Sequence, residues 1–549
     1  MNRRQFLHTA VAAGAGIGIA RRLPAFPRRT GRTATAALAL HPFITAHPEA
    51  VFIRRTQVAD KRDTAAKFAV GAAFMGELFT AGESGEAPFT NAFAIKPNLT
   101  CTMGTGNTEA GMGIMTDIPF TDGVMQGLRD LGFPGGNMFM REGNWLGDGY
   151  CPAEYPVTGP LFEALARKHG CHVFDFPTGR RLTDMTLETL QAGTEVIWRD
   201  VPDGVIFRRI GYVAPYNDDD TFLLNIAKFK AHAMGMTLAV KNLQGMAVSR
   251  YVSFCEGLDS TALQPAHVRK DFHPDRERLV DEAYARHRAA GIPRWDRPGR
   301  DATGGYGMET WAQRTCDSHG VIRAGLHVVE AIYGRNGNGF TEGPGPGNTP
   351  EEFMTNMLLF GKNAFLVDVV GHWLGGHEPG NFGLFHIALE RGRCPTIIPD
   401  EIPLYDWNNG EPYPITLADQ ARTPILSPYL RKDYNGGSEE QYHLVDEPFD
   451  YSTVSVHRIE PVAARPEIQA LRNPVRDEAL FEIRLPAESG VRVEMYNALG
   501  ERVAVLRDQR LAPGSHSIRW LPARLSPGLY FAQLRTPSHI ATAKVVLVR

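Results

Sequence analysis

The sequence has no excess of basic residues, because its 58 Lys and Arg are balanced by 61 Asp and Glu, for a formal net charge of −3. Binding to nucleic acid chiefly through phosphates needs such an excess, so that class of function is excluded. Nowhere do 18 apolar residues follow one another, which argues against a membrane-spanning helix. The six cysteines are few for 549 residues and contain no C-x-x-C pair. We expect mainly buried apolar thiols, with one or two disulfides left open.

The composition is that of a globular protein with more than one domain. An apolar fraction of 43% and a charged fraction of 22% are ordinary for a folded, soluble chain. At roughly 100–200 residues per domain, 549 residues exceed a single folding unit. The 56 glycines predict many loops and turns.

Paired arginines stand near the N-terminus. Arg3 and Arg4 precede Phe6 and Leu7, and a short, weakly apolar stretch follows. This pattern resembles a twin-arginine export signal, which we assign to residues 1–39. The resemblance implies export through the twin-arginine translocase as a folded protein. The alternative is a basic N-terminus with accidental spacing.

Residues 48–445 alternate short apolar runs with amphipathic stretches, which predicts an α/β domain. We predict buried strands at Ala92–Ile95, Met138–Met140, Val173–Phe176, Phe222–Ile226 and Phe365–Val369. We predict helices at Phe120–Leu131 and Pro160–His169. The expected fold is a large parallel or mixed sheet covered by helices on both faces.

A second, smaller domain follows a polar segment. Residues 446–470 are polar and carry several prolines, as a linker does. From residue 471 to 549, short runs with β character are separated by turn signals, which predicts a small β-sandwich. We predict strands at Phe481–Leu485, Val491–Tyr496, Arg502–Leu506, His516–Trp520, Leu529–Leu534 and Ala543–Val548.

The tail resembles the C-terminal sorting domain of type IX secretion cargo and the related immunoglobulin-like module of flagellar hook-capping proteins. The matching segments, in order, are Asn473-Pro474, Val493–Gly500, Pro513–His516, Trp520, Leu525–Phe531 and Lys544–Leu547. The resemblance implies contact with the type IX secretion machinery and delivery to the cell surface or medium. A sandwich that serves only as a spacer or adhesion module is the alternative.

The most informative stretch for chemistry is Phe222–His232. If the strand continues to its end, the side chains of Lys228, Lys230 and His232 point to one side. Desolvated like charges need solvent, acidic side chains or an anionic ligand. Crowding also lowers the pKa of a lysine, which suits a general base or nucleophile. The alternative is a solvated edge strand whose lysines oppose aggregation.

Other polar residues follow predicted strands. Lys96 and Asn98 follow one apolar run, Glu142 follows another, and Asp368 ends a third. Ligands of open α/β sheets bind beyond the carboxyl ends of the strands, so we expect Lys96, Glu142 and the Lys228 group to converge there. Each residue alone is equally compatible with an ion pair or a capped loop.

Several of these blocks resemble the domain of unknown function 362 family, over residues 50–395. The matching segments are Ile95–Asn98, Asn225–His232, Lys241–Gly245, Glu342–Gly347 and Asn363–Asp368. Some members carry a ferredoxin-like iron–sulfur module, but this chain has no clustered cysteines and hence no such cluster motif. The resemblance implies the scaffold and its pocket, while the cofactor and the reaction stay unknown.

A metal site is not expected from the histidines. His372, His377 and His386 lack the H-E-x-x-H spacing that places two rings on one helical face. The acidic run Asp218–Asp220 lacks the glycine and distal glutamate of a calcium loop. We interpret the former as loop or core residues and the latter as a solvated turn.

These observations favour an exported protein, at the cell surface or outside the cell, that binds and chemically transforms a small anionic substrate. The predicted catalytic residues are His232, Lys230 and Glu142. The predicted substrate-binding residues are Lys96, Asn98, Lys228, Lys241, Asn242, Glu342 and Asp368. Two alternatives stay open: a non-catalytic surface binding protein, and a redox accessory protein related to the iron–sulfur members of the family.

Overall fold

The described part of the chain forms two compact units, one within Ala25–His457 and the other within Arg458–Arg549. The computed structural model describes residues 38–548 except 82–91, 100–111, 144–145, 147–154, 233–234, 249–257, 259–263, 265, 294–299, 301–303, 324, 338–342, 344, 348, 428–446, 458–465, 471–472, 477, 486–488, 512–513, 523–524 and 538. Most of the predicted signal peptide therefore lies outside the described residues, although the first strand already begins at Leu38.

The first unit combines strands and helices. Its strands are β1 (Leu38–Leu40), β2 (Val51–Arg55), β3 (Phe79–Ala81), β4 (Ala92–Pro97), β5 (Met138–Met140), β6 (Val196–Asp200), β7 (Arg209–Val213), β8 (Thr221–His232), β9 (Gly235–Thr237), β10 (Leu326–Arg335), β11 (Glu352–Gly361), β12 (Leu404–Asn408) and β13 (Glu411–Ile415). Its α-helices are α1 (Pro42–Ala46), α2 (Thr64–Leu78), α3 (Ile118–Asp130), α4 (Tyr155–His169), α5 (Ala239–Asn242), α6 (Ala266–Arg269), α7 (Arg276–Ala289), α8 (Gly305–His319), α9 (Ala364–Leu374) and α10 (Gly383–Glu390). Short 3-10 helices lie at Gly135–Asn137, Leu182–Asp184, Leu187–Thr189, Leu243–Met246, Pro379–Asn381, Pro399–Glu401, Leu417–Asp419 and Tyr451–His457.

A nine-stranded mixed sheet is the centre of this unit, which confirms the predicted α/β class. Its order among the described residues is β13-β12-β2-β11-β10-β8-β4-β5, with β9 paired to β8. Strands β5, β4, β8 and β10 are mutually parallel, whereas β11 is antiparallel to both of its neighbours. The four parallel strands therefore share one carboxyl edge.

Helices α2 and α3 pack in close contact. Asp63 and Asp117 begin the two helices by accepting hydrogen bonds from backbone N–H groups of the first turn. A Cβ at Gly71 would lie 2.3 Å from the Phe120 carbonyl oxygen, and one at Gly123 would lie 2.0 Å from that of Phe68. Glycine is required at both positions because the two backbones approach so closely.

Two predicted strands of the first unit are wrong. Phe365–Val369 lies within α9, whose first turn is capped by Asn363 through its Oδ1. A short apolar run does not distinguish a strand from a buried helix. Val173–Phe176 is a loop, because the carbonyls of Val173 and Asp175 accept hydrogen bonds from the buried guanidinium of Arg141 instead of a neighbouring strand.

The second unit consists of two antiparallel sheets. Its strands are β14 (Glu467–Ala470), β15 (Ala479–Leu485), β16 (Ser489–Asn497), β17 (Arg502–Leu511), β18 (Gly514–Trp520), β19 (Gly528–Arg535) and β20 (Ile540–Leu547). The sheet orders are β14-β15-β18 and β17-β16-β19-β20, and the inward residues of both sheets form one apolar core. All six predicted strands of the tail are present. Strand β14 lies within the stretch predicted as a linker. These residues form a strand because they pair with β15.

Among the described residues, the structure contains no helix with the length and apolar character needed to cross a bilayer.

Candidate functional site

The order of the parallel strands reverses between β4 and β8. From β4 the chain adds β5 on one side, and it then crosses to the other side of β4 to add β8 and β10. Open α/β sheets bind ligands at such a switch point, in the crevice beyond the carboxyl ends of the two strands. Asn98 lies there, because it directly follows β4 and its backbone N–H donates to the Ile226 carbonyl of β8 at 3.1 Å.

The sheet separates the predicted site residues into two clusters. Lys96 is aligned with Asn225, whereas Lys228 is aligned with Glu330 of β10. Side chains alternate along a strand, and aligned residues of neighbouring strands share a face, so Lys96 and Lys228 lie on opposite faces. The expectation that Lys96, Glu142 and Lys228 converge in one cluster is therefore wrong for Lys228.

On the first face, Lys96 is paired with Glu142. The Lys96 Nζ lies 2.7 Å from Glu142 Oε2 and donates to the Pro97 carbonyl at 2.6 Å. The two side chains are 1% and 4% exposed, so this is a buried ion pair. A Cβ at Gly245 would lie 2.1 Å from Glu142 Oε1, which means that only glycine lets the carboxylate lie against this turn.

Three side-chain amides join this pair, and we call the whole group the Lys96 cluster. Asn242 Nδ2 donates to the Lys96 carbonyl at 3.1 Å and to Asn225 Oδ1 at 2.7 Å. Asn98 Nδ2 donates to Asn242 Oδ1 at 3.1 Å. Asn225 Nδ2 donates to the Ala239 carbonyl of α5 at 3.0 Å. The amides thus tie the ends of β4 and β8 to α5.

On the opposite face lies the Lys228 cluster, which consists of Lys228, Glu330, Lys67, Asp117 and Tyr333. Lys228 Nζ is 2.7 Å from Glu330 Oε2, and both side chains are fully buried. Lys67 Nζ is 2.6 Å from Asp117 Oδ2, which also accepts from the Tyr333 hydroxyl at 2.9 Å. Burial lowers the pKa of Lys228 and raises that of Glu330. Two lysines face two carboxylates, so the cluster is internally neutralised.

The end of β8 brings Lys230 and His232 close to Lys241 of α5. The Lys230 ammonium donates to the Ile114 carbonyl. Burial, followed by the charges of Lys241 and Lys230, holds the pKa of His232 well below its usual value. The His232 imidazole is therefore uncharged at neutral pH.

Asp368 was predicted to end a strand, but the structure places it in a helix. It lies in α9, and its carboxylate accepts from the backbone N–H groups of Ala239 at 2.7 Å and Val240 at 3.0 Å. It therefore holds the first turn of α5, which carries Lys241 and Asn242. Burial raises the pKa of Asp368 well above its usual range. The predicted ligand residue Glu342 lies outside the described residues.

Sequence reasoning missed the carboxylate partners of the Lys228 cluster. Glu330 interrupts the apolar run of β10, and a lone acidic residue in a buried strand indicates a buried charge that needs a partner. Asp117 precedes a proline-containing first helical turn, so its sequence signal is that of a helix cap. Nothing in the sequence assigned either carboxylate to a particular lysine.

A third buried ionic group lies among the helices. His287 of α7 is 2.7 Å from Glu309 of α8 and 2.6 Å from Glu390 of α10, through its two ring nitrogens. Burial lowers its pKa, but the hydrogen bonds and charges of the two carboxylates outweigh burial and raise it to about 9. This histidine was not singled out from the sequence.

His372, His377 and His386 are buried, and each bonds a backbone carbonyl. Within the described ranges, no group of three or more His, Cys, Asp or Glu side chains is arranged to hold a metal ion.

Half of the cysteines can be described. Cys171, Cys316 and Cys394 are buried free thiols, whereas Cys101, Cys151 and Cys255 lie outside the described residues. Burial raises the pKa of Cys171 and of Cys316 to about 12 and also raises that of Cys394. Thiols with pKa values this high remain protonated and unreactive at neutral pH.

Comparison with solved structures finds short, distant likenesses. PorZ, an essential bacterial surface component of the type IX secretion system of Porphyromonas gingivalis, is 17% identical over 15% of this chain and 11% of its own, with a TM-score of 0.12. Dimeric latent PorU of the same organism is 20% identical over 15% and 9%, with a TM-score of 0.12. The CARDB domain of the PF1109 protein of Pyrococcus furiosus is 16% identical over 15% and 86%, with a TM-score of 0.13. The chain thus spans about a tenth of the length of PorZ and PorU.

No curated protein matches the chain. The family model for the domain of unknown function DUF362 matches residues 93–372, slightly more than half of the sequence. The matched range contains β8, β10 and all of β4 but its first residue, together with the Lys96 cluster and every member of the Lys228 cluster except Lys67. The chain belongs to the DUF362 family.

Proposed function

We propose that the α/β unit binds a small anionic ligand at the switch point between β4 and β8, where His232 accepts a proton from it. The observation that carries this proposal is the reversal of strand order between β4 and β8, beside Asn98. Lys96 lies near the end of β4, and His232 ends β8. Ligand sites of open sheets occupy this position and carry a small number of polar side chains.

The charged groups around the four lysines support different roles for them. Lys228 and Lys96 already face buried carboxylates, so they contribute little net charge to an anion. Lys230, whose ammonium donates to the Ile114 carbonyl, and Lys241 both place positive charge near His232. An anion bound there stabilises the protonated imidazole, so proton transfer and binding support each other.

The anion site is tested by Lys241→Met and His232→Asn, with the exposed Lys270→Met as the matched control. Isothermal titration calorimetry is run with orthophosphate, sulfate, glycolate and acetate as probes. We expect at least one probe to bind, with about tenfold weaker binding after Lys241→Met and unchanged binding after Lys270→Met. Lack of binding by all four probes, or an equal loss in the control, would refute the proposal.

We propose in addition that the protein is exported and that its β-sandwich directs it to the cell surface or medium. Arg3 and Arg4 before Phe6-Leu7 support passage through the twin-arginine translocase, and the segments of the tail from Asn473 onward support type IX sorting. Fractionation of cells that carry Arg3→Lys/Arg4→Lys should find the protein in the cytoplasm. Normal export of this variant would contradict the proposed signal.

A further inference from the structure

The orientation of the three amides in the Lys96 cluster is determined by backbone carbonyls. A carbonyl can only accept, so the atom of Asn242 that faces the Lys96 carbonyl must be Nδ2. Its other end is therefore Oδ1, which must receive a donor, and Asn98 supplies this donor through Nδ2. The Ala239 carbonyl sets the orientation of Asn225 in the same way.

With these orientations, the Oδ1 atoms of Asn242 and Asn225 each accept a hydrogen bond from another amide of the cluster. The Oδ1 atom of Asn98 does not receive one from either amide. Asn98 is 7% exposed, and its Oδ1 has no hydrogen-bond donor within the described part of the chain. The amide cannot rotate to expose its NH2 instead, because two oxygens would then face each other at Asn242. Buried acceptors without a donor are rare in folded proteins, because the hydrogen bond to water is lost on folding and no protein donor replaces it.

The position of this oxygen coincides with the switch point. Asn98 directly follows β4, its backbone N–H bonds to β8, and its side chain bonds to Asn242, the neighbour of Lys241 in sequence. The acceptor thus lies at the switch point where the anion site is proposed.

We propose that Asn98 Oδ1 accepts a hydrogen bond from the ligand, so that the site selects small anions that also carry an O–H or N–H donor. This inference rests on the proposed function and narrows its ligand class. A donor-free anion leaves the Asn98 oxygen unsatisfied, and sites that require a ligand hydrogen bond reject analogues that lack it.

The experiment compares anions that differ in the donor. Glycolate carries a hydroxyl that acetate lacks, and at neutral pH monohydrogen phosphate carries an O–H that sulfate lacks. Titration calorimetry of the full chain should show that the donor-bearing member of at least one pair binds about tenfold more tightly. In Asn98→Ala this preference should fall to about twofold or less, while affinity for the donor-free member is retained.

The outcomes separate the two proposals. Equal binding of both members of each bound pair by the unaltered protein overturns the donor inference and leaves the anion site standing. Absence of binding for all four probes overturns both. A preference that persists in Asn98→Ala also overturns the inference, because another group then selects the donor. The comparison within the unaltered protein decides the question even where the variant does not fold.

Discussion

The two faces of the central sheet treat buried lysines differently. On one face Lys228 and Lys67 meet Glu330 and Asp117, and the Tyr333 hydroxyl completes a neutral, hydrogen-bonded cluster. On the other face, one ion pair is joined by a row of amides that ends in an acceptor oxygen. The difference teaches that a lysine near the carboxyl end of a strand is not by itself a ligand-binding residue. Its role depends on whether the protein already supplies the counter-charge.

The largest change in stability is expected from a substitution that disrupts the Lys228 cluster. Lys228→Met leaves the Glu330 carboxylate buried without its counter-charge, and we expect a loss of about 3–5 kcal/mol in the free energy of unfolding. The double variant Lys228→Met/Glu330→Leu should recover most of this loss, because it removes both charges. Urea unfolding measures the three proteins.

A matched control for this prediction is Lys168→Met. Lys168 also lies 2.6 Å from a carboxylate, that of Asp122, but its side chain is 49% exposed. We expect a change of about 1 kcal/mol or less, since solvent screens exposed pairs. Equal losses for Lys228→Met and Lys168→Met would show that burial does not distinguish the two pairs.

His287, with its partners Glu309 and Glu390, extends the comparison to a buried positive charge that is lost when the pH is raised. Its folded pKa of about 9 lies above the unfolded value of 6.5. Its contribution to stability is therefore fully present below 6.5 and is lost as the pH rises through 9. A difference of this size corresponds to about 3 kcal/mol.

Urea unfolding at about pH 6 and about pH 10 measures this loss, and His287→Gln is the control. The variant should be less stable at the lower pH and should show a smaller decrease on going to the higher pH. The same decrease in both proteins would mean that another group causes the pH dependence.

The smallest expected effect concerns the amides of the Lys96 cluster. Asn242→Ala removes the donor to the Lys96 carbonyl and to Asn225 Oδ1, so we expect a loss of about 1–3 kcal/mol in the free energy of unfolding. Gln126→Ala at a half-buried position, which removes one solvent-exposed hydrogen bond to Asp130, should change the free energy of unfolding by about 0.5 kcal/mol or less. Thermal and urea unfolding compare the two. Indistinguishable stabilities would show that the amide row is not structural.

Much of the fold could be predicted because its signals are local. The β character of the tail and its turn residues identified all six predicted strands, since alternation and turn chemistry act over a few residues. Strand β14 was missed because it is short and is defined by its pairing with β15. Phe365–Val369 was misassigned because a five-residue apolar run fits a buried helix as well as a strand.

The candidate site could be predicted only in part. The residue types and their positions along the strands led to Lys96, Glu142 and Lys228 as candidates, but the carboxylate partner of Lys228 lies 102 residues away in sequence. Asp368 was predicted as a substrate-binding residue at the end of a strand, whereas it lies in α9 and holds the first turn of α5. Long-range pairing of this kind depends on which strands become neighbours.

By itself, the sequence determined the class of the large unit, the strands of the tail and the residues that end β4 and continue β8, because periodicity and turn chemistry are properties of short segments. Only the tertiary structure decided that Lys96 and Lys228 lie on opposite faces and that each meets its own carboxylate. The physical reason is register: one residue of shift between β4 and β8 would turn every side chain of one strand to the other face.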